Sequence, residues 1–255
     1  MHERGSPEVR AEDDGLGTAG RTWPRERKKW DGDVTMISAR PRLKTLLPVL
    51  FVILASCGFA LSASAQRLRE TPGLETATFA GGCFWCVEAD FDKIDGVVAT
   101  TSGYIGGTTP NPTYRQVAAG GTGHAEAVEI KYDPAKVSFT QLVTYFWRTI
   151  DPLDNDGQFC DRGDVYRSAI FFHSDEQRKI AEATRDQIVA SKRFRQPIVT
   201  EITPATKFTV AEDYHQDYYR KNAGRYASYR AGCGRDARIK GLWGDEAFSM
   251  NVPVR

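Results

Sequence analysis

Five short segments of the chain combine apolar and β-branched residues in patterns that predict strands. Segment 125–132 shows a period of two, with Val128 and Ile130 on one side and Glu129 and Lys131 on the other. A strand with this period presents one face to a core and the other face away from it. The predicted strands are 77–82, 96–107, 125–132, 166–173 and 197–204.

Between these strands, apolar residues three or four positions apart predict helices. One helix begins at or near Cys83, and the next is capped by Ser138. A third begins with a capping box at 174–177 and runs to about Ser191. A short helix is predicted at 211–222, and the chain beyond it is predicted to be irregular.

Strands and helices therefore alternate along the chain, joined by loops such as 151–165. This order favours a single domain of the α/β (α+β) class, in which helices flank a small mixed β-sheet. An irregular C-terminal tail would complete the domain. The sequence contains no internal repeat, heptad run or low-complexity tract.

The first 65 residues follow none of these patterns. Residues 1–35 are polar, charged and interrupted by Gly and Pro, so we expect them to be disordered. Segment 36–65 joins basic residues to an apolar run and ends in Ala-Ser-Ala, which predicts a secretory signal peptide. Met36 would then be the true start, with 1–35 upstream of it.

Two alternatives stay open for this leader. Residues 54–57, Leu-Ala-Ser-Cys, resemble a lipobox, in which Cys57 would be lipidated and become the N-terminus. The apolar run is also near the lower length limit for a membrane anchor. We expect residues 66–255 to form an exported catalytic domain in the periplasm, either soluble or lipid-anchored.

The 255 residues carry a formal net charge of +1, and 41% of them are hydrophobic. This is enough apolar material for one sizeable core, and the near-neutral balance gives no reason to expect nucleic acid as a partner. Five cysteines are too few for a disulfide scaffold and favour one or two reactive thiols. His124, His173 and His215 lack metal-ligand spacing, so neither a metal nor another cofactor is expected.

The sequence Gly-Gly-Cys-Phe-Trp-Cys at 81–86 carries the strongest chemical signal. A thiolate is the reactive form of cysteine, and the N–H groups at a helix N-terminus lower a thiol pKa. Cys83 is therefore the better candidate nucleophile, because Cys86 lies inside the first turn. The bulky residues Phe84 and Trp85 predict the wall of an apolar pocket for a small hydrophobic group.

Other chemistry is compatible with two cysteines three residues apart. A thioredoxin-like disulfide oxidoreductase would exchange a Cys83–Cys86 pair with protein disulfides. A zinc-binding module would need a second ligand pair. The faint His-x-Glu signature at His124 and Glu126 lacks the Pro-Cys-x-x-Cys that should follow it.

Six motifs occur in one order between 76 and 222: GGCFWCVEADF, TSGYIGG, PNPTYRQV, GTGHAEAVEIKYDP, FCDRGDVYRSAIFF and AEDYHQDYYRKN. Together they resemble the A-type peptide methionine sulfoxide reductases. The resemblance implies reduction of methionine S-sulfoxide, free or in proteins, and hence repair of oxidised exported proteins. The chain departs from the family at Cys86, where a small residue is usual, and lacks the usual Gly/Cys-rich tail.

A sulfoxide sulfur is a poor electrophile until its oxygen is hydrogen-bonded, so the reaction needs a thiolate, an acid, hydroxyl donors and an apolar seat for the methyl group. Burial beside aromatic side chains would raise the pKa of the acid and keep it protonated near neutral pH. The resemblance assigns these roles to Cys83 as nucleophile, Glu126 as acid, Tyr114 and Tyr166 as donors, Asp161 in support, and Phe84 and Trp85 as the methyl pocket.

Attack would leave Cys83 as a sulfenic acid, which a second thiol converts to a disulfide that an external thioredoxin-type dithiol reduces. Cys233 is the leading candidate for this resolving thiol, because its Gly-flanked position near the chain end predicts mobility. Cys86 is the alternative, but its disulfide to Cys83 would require unwinding of a regular first turn. Cys160 is expected to be a bystander, and the enzyme a monomer.

Overall fold

The structure is a computed structural model that describes residues 73–250. The features predicted at 1–35, at 36–65 and at Cys57 lie outside the described residues. Within 73–250, no helix has both the length and the apolar character needed to cross a membrane.

The strands of the described residues are β1 (Glu75–Gly81), β2 (Val97–Ile105), β3 (Ala125–Tyr132), β4 (Gly157–Gln158), β5 (Asp161–Arg162), β6 (Ser168–Phe172), β7 (Glu201–Pro204) and β8 (Thr209–Val210). Six of them form a central sheet, in the order β7-β6-β1-β3-β2-β8. Its neighbouring strands are antiparallel except for β6 and β7, which are parallel, while β4 and β5 form a separate antiparallel pair. The predicted mixed sheet is therefore confirmed.

Helices pack against this sheet, as the alternating pattern predicted. They are α1 (Phe84–Phe91), α2 (Tyr114–Ala118), α3 (Phe139–Trp147), α4 (Asp175–Ala190), α5 (Tyr218–Lys221), α6 (Ala223–Gly232) and α7 (Arg235–Trp243). Apolar residues of α1 and α3 cover one face, where Phe79 of β1 stacks on Phe91 and Phe146 with ring centroids 5.2 and 4.8 Å apart. A smaller cluster that includes Ile105 and Phe171 lies on the other face.

The helix N-termini show how far local sequence determines these elements. The Ser138 hydroxyl accepts from the N–H of Gln141 at 3.2 Å, and the Gln141 side chain accepts from the N–H of Ser138 at 2.9 Å. At the start of α4 only half of the predicted box forms. Ser174 accepts from the N–H of Gln177, whose own side chain instead accepts from the N–H of His173.

Three predicted elements differ in extent. Segment 197–204 joins the sheet only along β7, and the predicted loop 151–165 contains the β4–β5 pair. Segment 211–222 is helical only in α5, because Asp217 before it has a left-handed φ of 52°. These differences depend on backbone turns that carry no periodic sequence signal.

The prediction of an irregular C-terminal tail was wrong. Helices α6 and α7, followed by a 3-10 turn at Gly244–Glu246, occupy this part of the chain. No residue of α6 is buried, so its sequence lacks the apolar stripe that identifies a helix. Tertiary contacts hold it instead: Arg230 pairs with the buried Asp90 at 3.0 Å.

Candidate active site

Cys83 is the N-cap residue of α1, where the chain leaves β1 and turns into the helix, as the sequence predicted. Its φ and ψ of −51° and 120° are not helical, so its side chain does not belong to the helical array. Gly82 makes the turn with a φ of +83°, and a Cβ there would lie 2.6 Å from the Cβ of Gln158. The turn therefore requires glycine, and it places the Cys83 sulfur at the helix N-terminus.

The carboxyl group of Glu126 lies at the same helix end. Strand β3 carries it, and its Oε2 accepts a hydrogen bond from the backbone N–H of Phe84 at 3.0 Å. Only 2% of Glu126 is exposed. This burial raises the pKa of Glu126 to about 8, although the Phe84 bond opposes the rise. Glu126 is therefore mostly protonated at neutral pH and able to act as an acid.

Two tyrosines complete the polar group around this carboxyl. Tyr114 begins α2, where its backbone N–H donates to Glu212 at 2.8 Å, and Tyr166 ends the 3-10 turn that precedes β6. Burial raises the pKa of both phenols, that of Tyr114 to about 12, and the neighbouring Glu126 and Cys83 add to the rise. Both hydroxyls therefore stay protonated and can donate to an oxygen placed between them.

Aromatic rings lie on one side of these polar residues. Phe84 is buried and packs on His215, with ring centroids 4.9 Å apart. The half-buried Trp85 stacks on Tyr218 at 3.7 Å and donates its Nε1–H to His215 Nδ1 at 3.0 Å. Burial lowers the pKa of His215 to about 4, so this ring is neutral and accepts the bond. The indole is thus fixed on two sides, by Tyr218 and by His215.

Asp161 joins the site through a residue that sequence reasoning missed. Tyr229 of α6 donates its hydroxyl to Asp161 Oδ2 at 2.5 Å. The same hydroxyl lies beside the Cys83 sulfur, and this contact acts to lower the pKa of that thiol. The ring of Tyr229 meets Trp85 edge-on, with centroids 5.8 Å apart. Helix α6, which the sequence predicted to be irregular chain, therefore contacts the candidate nucleophile directly.

Cys83 and Cys86 are free and buried, and their side chains are hydrogen-bonded to each other. Burial raises the pKa of Cys83, and its contact with Cys86 and the charge of Glu126 add to the rise. The expectation of a lowered pKa for Cys83 was wrong, because desolvation raises it and the Cys83 side chain accepts no capping bond, the N–H of Phe84 donating to Glu126 instead. The pKa of Cys86 moves the other way, to about 7, chiefly through the bond from Cys83.

Cys160 and Cys233 form a disulfide, with Cα atoms 4.8 Å apart. The prediction of a mobile Cys233 was wrong, because it ends α6 and is held by this bond. Cys160 precedes Asp161, and Cys233 lies one helical turn after Tyr229, so the disulfide links the two elements that bring Asp161 and Tyr229 together.

Within 73–250, one group has atoms spaced for a metal ion, namely Cys160, Asp161 and Cys233. Two of these three residues, Cys160 and Cys233, are bonded to each other in the disulfide.

Replacement of both Cys160 and Cys233 by serine is expected to lower the free energy of unfolding by about 2–4 kcal/mol. The reason is that the disulfide closes a loop with a sequence separation of 73. Urea denaturation of the oxidised protein and the variant measures the difference. Wild type treated with a strong reductant is the control and should approach the variant. Equal midpoints for the oxidised wild type and the variant would contradict a stabilising disulfide.

Two more residues that the sequence did not single out position the site. Glu212 accepts both from the N–H of Tyr114 and from the hydroxyl of Tyr104, at 2.8 and 2.9 Å. The fully buried Arg235 donates to the carbonyl oxygen of Gly81 at 2.9 Å. Glu212 lies in the motif AEDYHQDYYRKN, so the motif gave a signal for it. Arg235 gave none, because its role depends on partners distant in sequence.

Comparison with known proteins gives consistent matches. A sequence model described as "Peptide methionine sulfoxide reductase" matches residues 75–247. "Peptide methionine sulfoxide reductase MsrA" of Listeria innocua is 52% identical over 170 residues, which cover 67% of this chain and 96% of that protein. "Peptide methionine sulfoxide reductase MsrA 2" of Rhizobium meliloti is 47% identical over 204 residues, which cover 80% and 98%.

Solved structures agree with these matches. Methionine sulfoxide reductase A of Corynebacterium diphtheriae is 40% identical with a TM-score of 0.53, over 61% of this chain and 78% of that one. Mxr1 from Saccharomyces cerevisiae in reduced form is 32% identical with a TM-score of 0.56, over 59% and 87%. Both neighbours therefore support the arrangement of sheet and helices described above.

Proposed function

The chain belongs to the peptide methionine sulfoxide reductase family, and from this we propose that Cys83 is the nucleophile in its thiol-dependent reduction of methionine sulfoxide. This assignment rests on one observation. Cys83 lies close to the protonated carboxyl of Glu126 and to the hydroxyls of Tyr114 and Tyr166. A nucleophile for the sulfur and neutral donors for the oxygen are what a sulfoxide requires.

In the reductive step, the Cys83 thiol gives its proton to solvent and its sulfur attacks the sulfoxide sulfur, while Glu126 donates a proton to the oxygen. The sulfur–oxygen bond of the substrate breaks, the oxygen moves to Cys83 as a sulfenic acid, and methionine leaves as a thioether. Cys83 is oxidised by two electrons as the substrate sulfur is reduced by two. The step therefore needs no cofactor to carry electrons.

The same geometry gives a reason for stereospecificity. The aromatic wall of Phe84 and Trp85 receives the methyl group, while the oxygen points to Glu126. With these two substituents fixed, only one epimer directs the remaining peptide arm outward, and we propose that this is the S epimer. The test is an assay with the separate S and R sulfoxides of N-acetylmethionine. Reduction of S at least roughly 100-fold faster than R is expected. Reduction of neither epimer would contradict the proposed function.

We propose Cys86, not Cys233, as the resolving thiol. Cys83 is the N-cap and Cys86 the third residue of α1, two positions whose side chains approach each other in a capping box. The objection that a Cys83–Cys86 disulfide must unwind a helical turn does not apply, since Cys83 lies outside the helix. Cys233, the candidate favoured from sequence, is already bonded to Cys160.

The setting of the reaction is a further part of this proposal. An external thioredoxin-type dithiol would reduce the Cys83–Cys86 disulfide by thiol exchange and release the enzyme for the next cycle. The enzyme would act as a monomer on free or protein-bound methionine sulfoxide. The leader at 36–65 supports export to the periplasm and repair of proteins there.

Replacement of Glu126 by glutamine is expected to slow the reductive step by roughly 10²-fold or more, since an amide can hydrogen-bond the oxygen but cannot transfer a proton. The wild-type rate should fall as pH rises through about 8, where Glu126 loses its proton. The variant should lack this fall. Single-turnover methionine release between pH 6 and 9 measures both effects, and matching pH profiles would exclude Glu126 as the acid.

The pH dependence of folding stability provides a control for Glu126→Gln. The folded-state pKa of Glu126 is raised, so its ionisation costs stability as pH rises toward and through about 8. Glu126→Gln should therefore be no less stable than wild type at pH 8 and above. A loss of activity in a protein of this stability cannot come from unfolding.

Export is expected to remove the leader. When the full chain is produced in a bacterium with its own leader, the mature protein should begin at or near Gln66, or at a lipidated Cys57. Cell fractionation followed by N-terminal sequencing and intact mass measures this. A cytosolic protein that keeps an intact N-terminus would contradict the export proposal and leave the enzymatic assignment untouched.

A further inference from the structure

Cys86 faces a buried ionic cluster that the reductive step does not use. Asp90 lies four residues after Cys86, so both occupy the same side of α1, and they are 1% and 2% exposed respectively. Arg230 of α6 contacts both carboxylate oxygens of Asp90 at 3.0 and 3.1 Å. The Nε of Arg235, from α7, lies 4.0 Å from the same carboxylate.

The buried part of this cluster carries more positive than negative charge. Within 73–250, the ion pairs of Arg230 are with Asp90 and the half-exposed Asp236, and the ion pair of Arg235 is the long contact with Asp90. Arg235 is 1% exposed, and its Nε has no hydrogen-bond partner within the described residues. Of the two carboxylates that face these guanidinium groups, only Asp90 is buried, because the Asp236 side chain is 51% exposed. The two terminal nitrogens of Arg235 donate to the carbonyl oxygens of Gly81 and Thr149, so its unpartnered Nε is the group that favours a further negative charge here.

We propose that Arg230 and Arg235 hold Cys86 as a thiolate, which makes it a resolving nucleophile prepared before the substrate arrives. The inference rests on the proposed function, in which Cys86 attacks the Cys83 sulfenic acid. Both arginines are positioning residues, since they act through Cys86 and touch neither substrate nor the sulfenic oxygen.

The acid–base properties of Cys86 agree with this geometry. The bond from Cys83 lowers the pKa of Cys86 most, the two arginines lower it further, and burial and Asp90 oppose them, leaving it at about 7. The titratable and charged groups that face Cys86 are Cys83, Asp90, Glu126, Tyr226, Arg230 and Arg235.

The step that this thiolate performs balances without another reactant. The Cys86 sulfur attacks the Cys83 sulfur, the new sulfur–sulfur bond forms, and the sulfur–oxygen bond of the sulfenic acid breaks. The departing hydroxide takes a proton from Glu126, reprotonated from solvent, and leaves as water. Cys86 is oxidised by one electron as Cys83 is reduced by one. A thiolate is required because a thiol is a poor nucleophile.

The thiolate itself can be measured without changing an arginine. In Cys83→Ser, the serine hydroxyl can replace the Cys83 thiol as hydrogen-bond donor to Cys86. Thiolate absorbance near 240 nm is titrated in this variant, with the Cys83→Ser/Cys86→Ser double variant subtracted. We expect the difference to titrate near or below pH 7.5, about one unit under a free thiol. Titration at or above the ordinary range of cysteine, about pH 8.5, would overturn the proposal.

The variant Arg230→Gln tests whether Arg230 stabilises the negative charge of the Cys86 thiolate. Its matched control is Arg230→Lys, which keeps the positive charge at this position. Each variant receives one equivalent of sulfoxide without reductant, and methionine release and disulfide formation are followed separately. In Arg230→Gln, one methionine per enzyme should still appear, while disulfide formation slows roughly fivefold at pH 7 and recovers at pH 9. Arg230→Lys should resemble wild type.

These outcomes separate the inference from the proposed function. Methionine release with disulfide formation equally fast in all three proteins would overturn the role of Arg230 and leave the reductase assignment intact. A slow step in Arg230→Gln that does not recover at pH 9 would also overturn it, since it would show a structural effect. Absence of methionine release from wild type would instead contradict the proposed function itself.

Discussion

Replacement of Cys83 by serine is expected to lower kcat/KM for methionine sulfoxide by roughly 10⁴-fold or more. A serine oxygen cannot take up the substrate oxygen and return it through a sulfenic acid, so the covalent redox route is lost. The cost to folding should be small. Cys83 is the N-cap of α1, and serine is among the residues preferred at that position.

The measurement is a reductase assay with excess dithiol, together with thermal unfolding of the same preparation. The Cys83→Ser protein should unfold at or near the wild-type temperature while its activity approaches the uncatalysed rate. Substantial turnover by a folded Cys83→Ser protein would mean that another sulfur attacks the substrate. Cys86 would then be the candidate, because its pKa is the lower of the two.

Replacement of Cys86 by serine is expected to produce a different defect. The variant should release one methionine per enzyme and then stop, because the Cys83 sulfenic acid has no partner thiol within the described site. Steady-state turnover with a thioredoxin-type reductant should fall by roughly 10²-fold or more, since only direct attack by an external thiol remains. A sulfenic-acid trap should label Cys83 in this variant and not in cycling wild type.

The matched control is the Cys160→Ser/Cys233→Ser variant. It lacks the two other cysteines of the described chain and keeps the Cys83–Cys86 pair, so it should turn over in the folded state. If the double variant stops after one methionine while Cys86→Ser cycles normally, the resolving thiol is Cys160 or Cys233, the second being the candidate inferred from the sequence.

Local patterns explain which parts of the fold were predictable. The strand at 125–132 and the helix capped by Ser138 appear as predicted, because their signals are a period of two and a capping box between neighbouring residues. Helix α6 was not predictable in this way. It buries no residue, and Arg230 and Cys233 hold it through partners distant in the chain.

The same distinction applies to the site. The family resemblance predicted roles for Cys83, Glu126, Tyr114 and Tyr166, and in the structure these four groups lie close enough to interact electrostatically. It did not identify Tyr229, because its contact with Asp161 exists only if α6 is helical. The predicted fall in the pKa of Cys83 failed for a related reason, since a helix N-terminus is visible in sequence and burial is not.

The central claim is that Cys83 takes the substrate oxygen and that Cys86 resolves the product. Peptide mapping by mass spectrometry, after one turnover without reductant, tests it most directly. The account predicts one methionine released per enzyme, the loss of two hydrogens from the protein, and a cross-linked peptide joining Cys83 to Cys86. A new disulfide between Cys83 and Cys233, or a Cys83–Cys86 disulfide formed without methionine release, would contradict it.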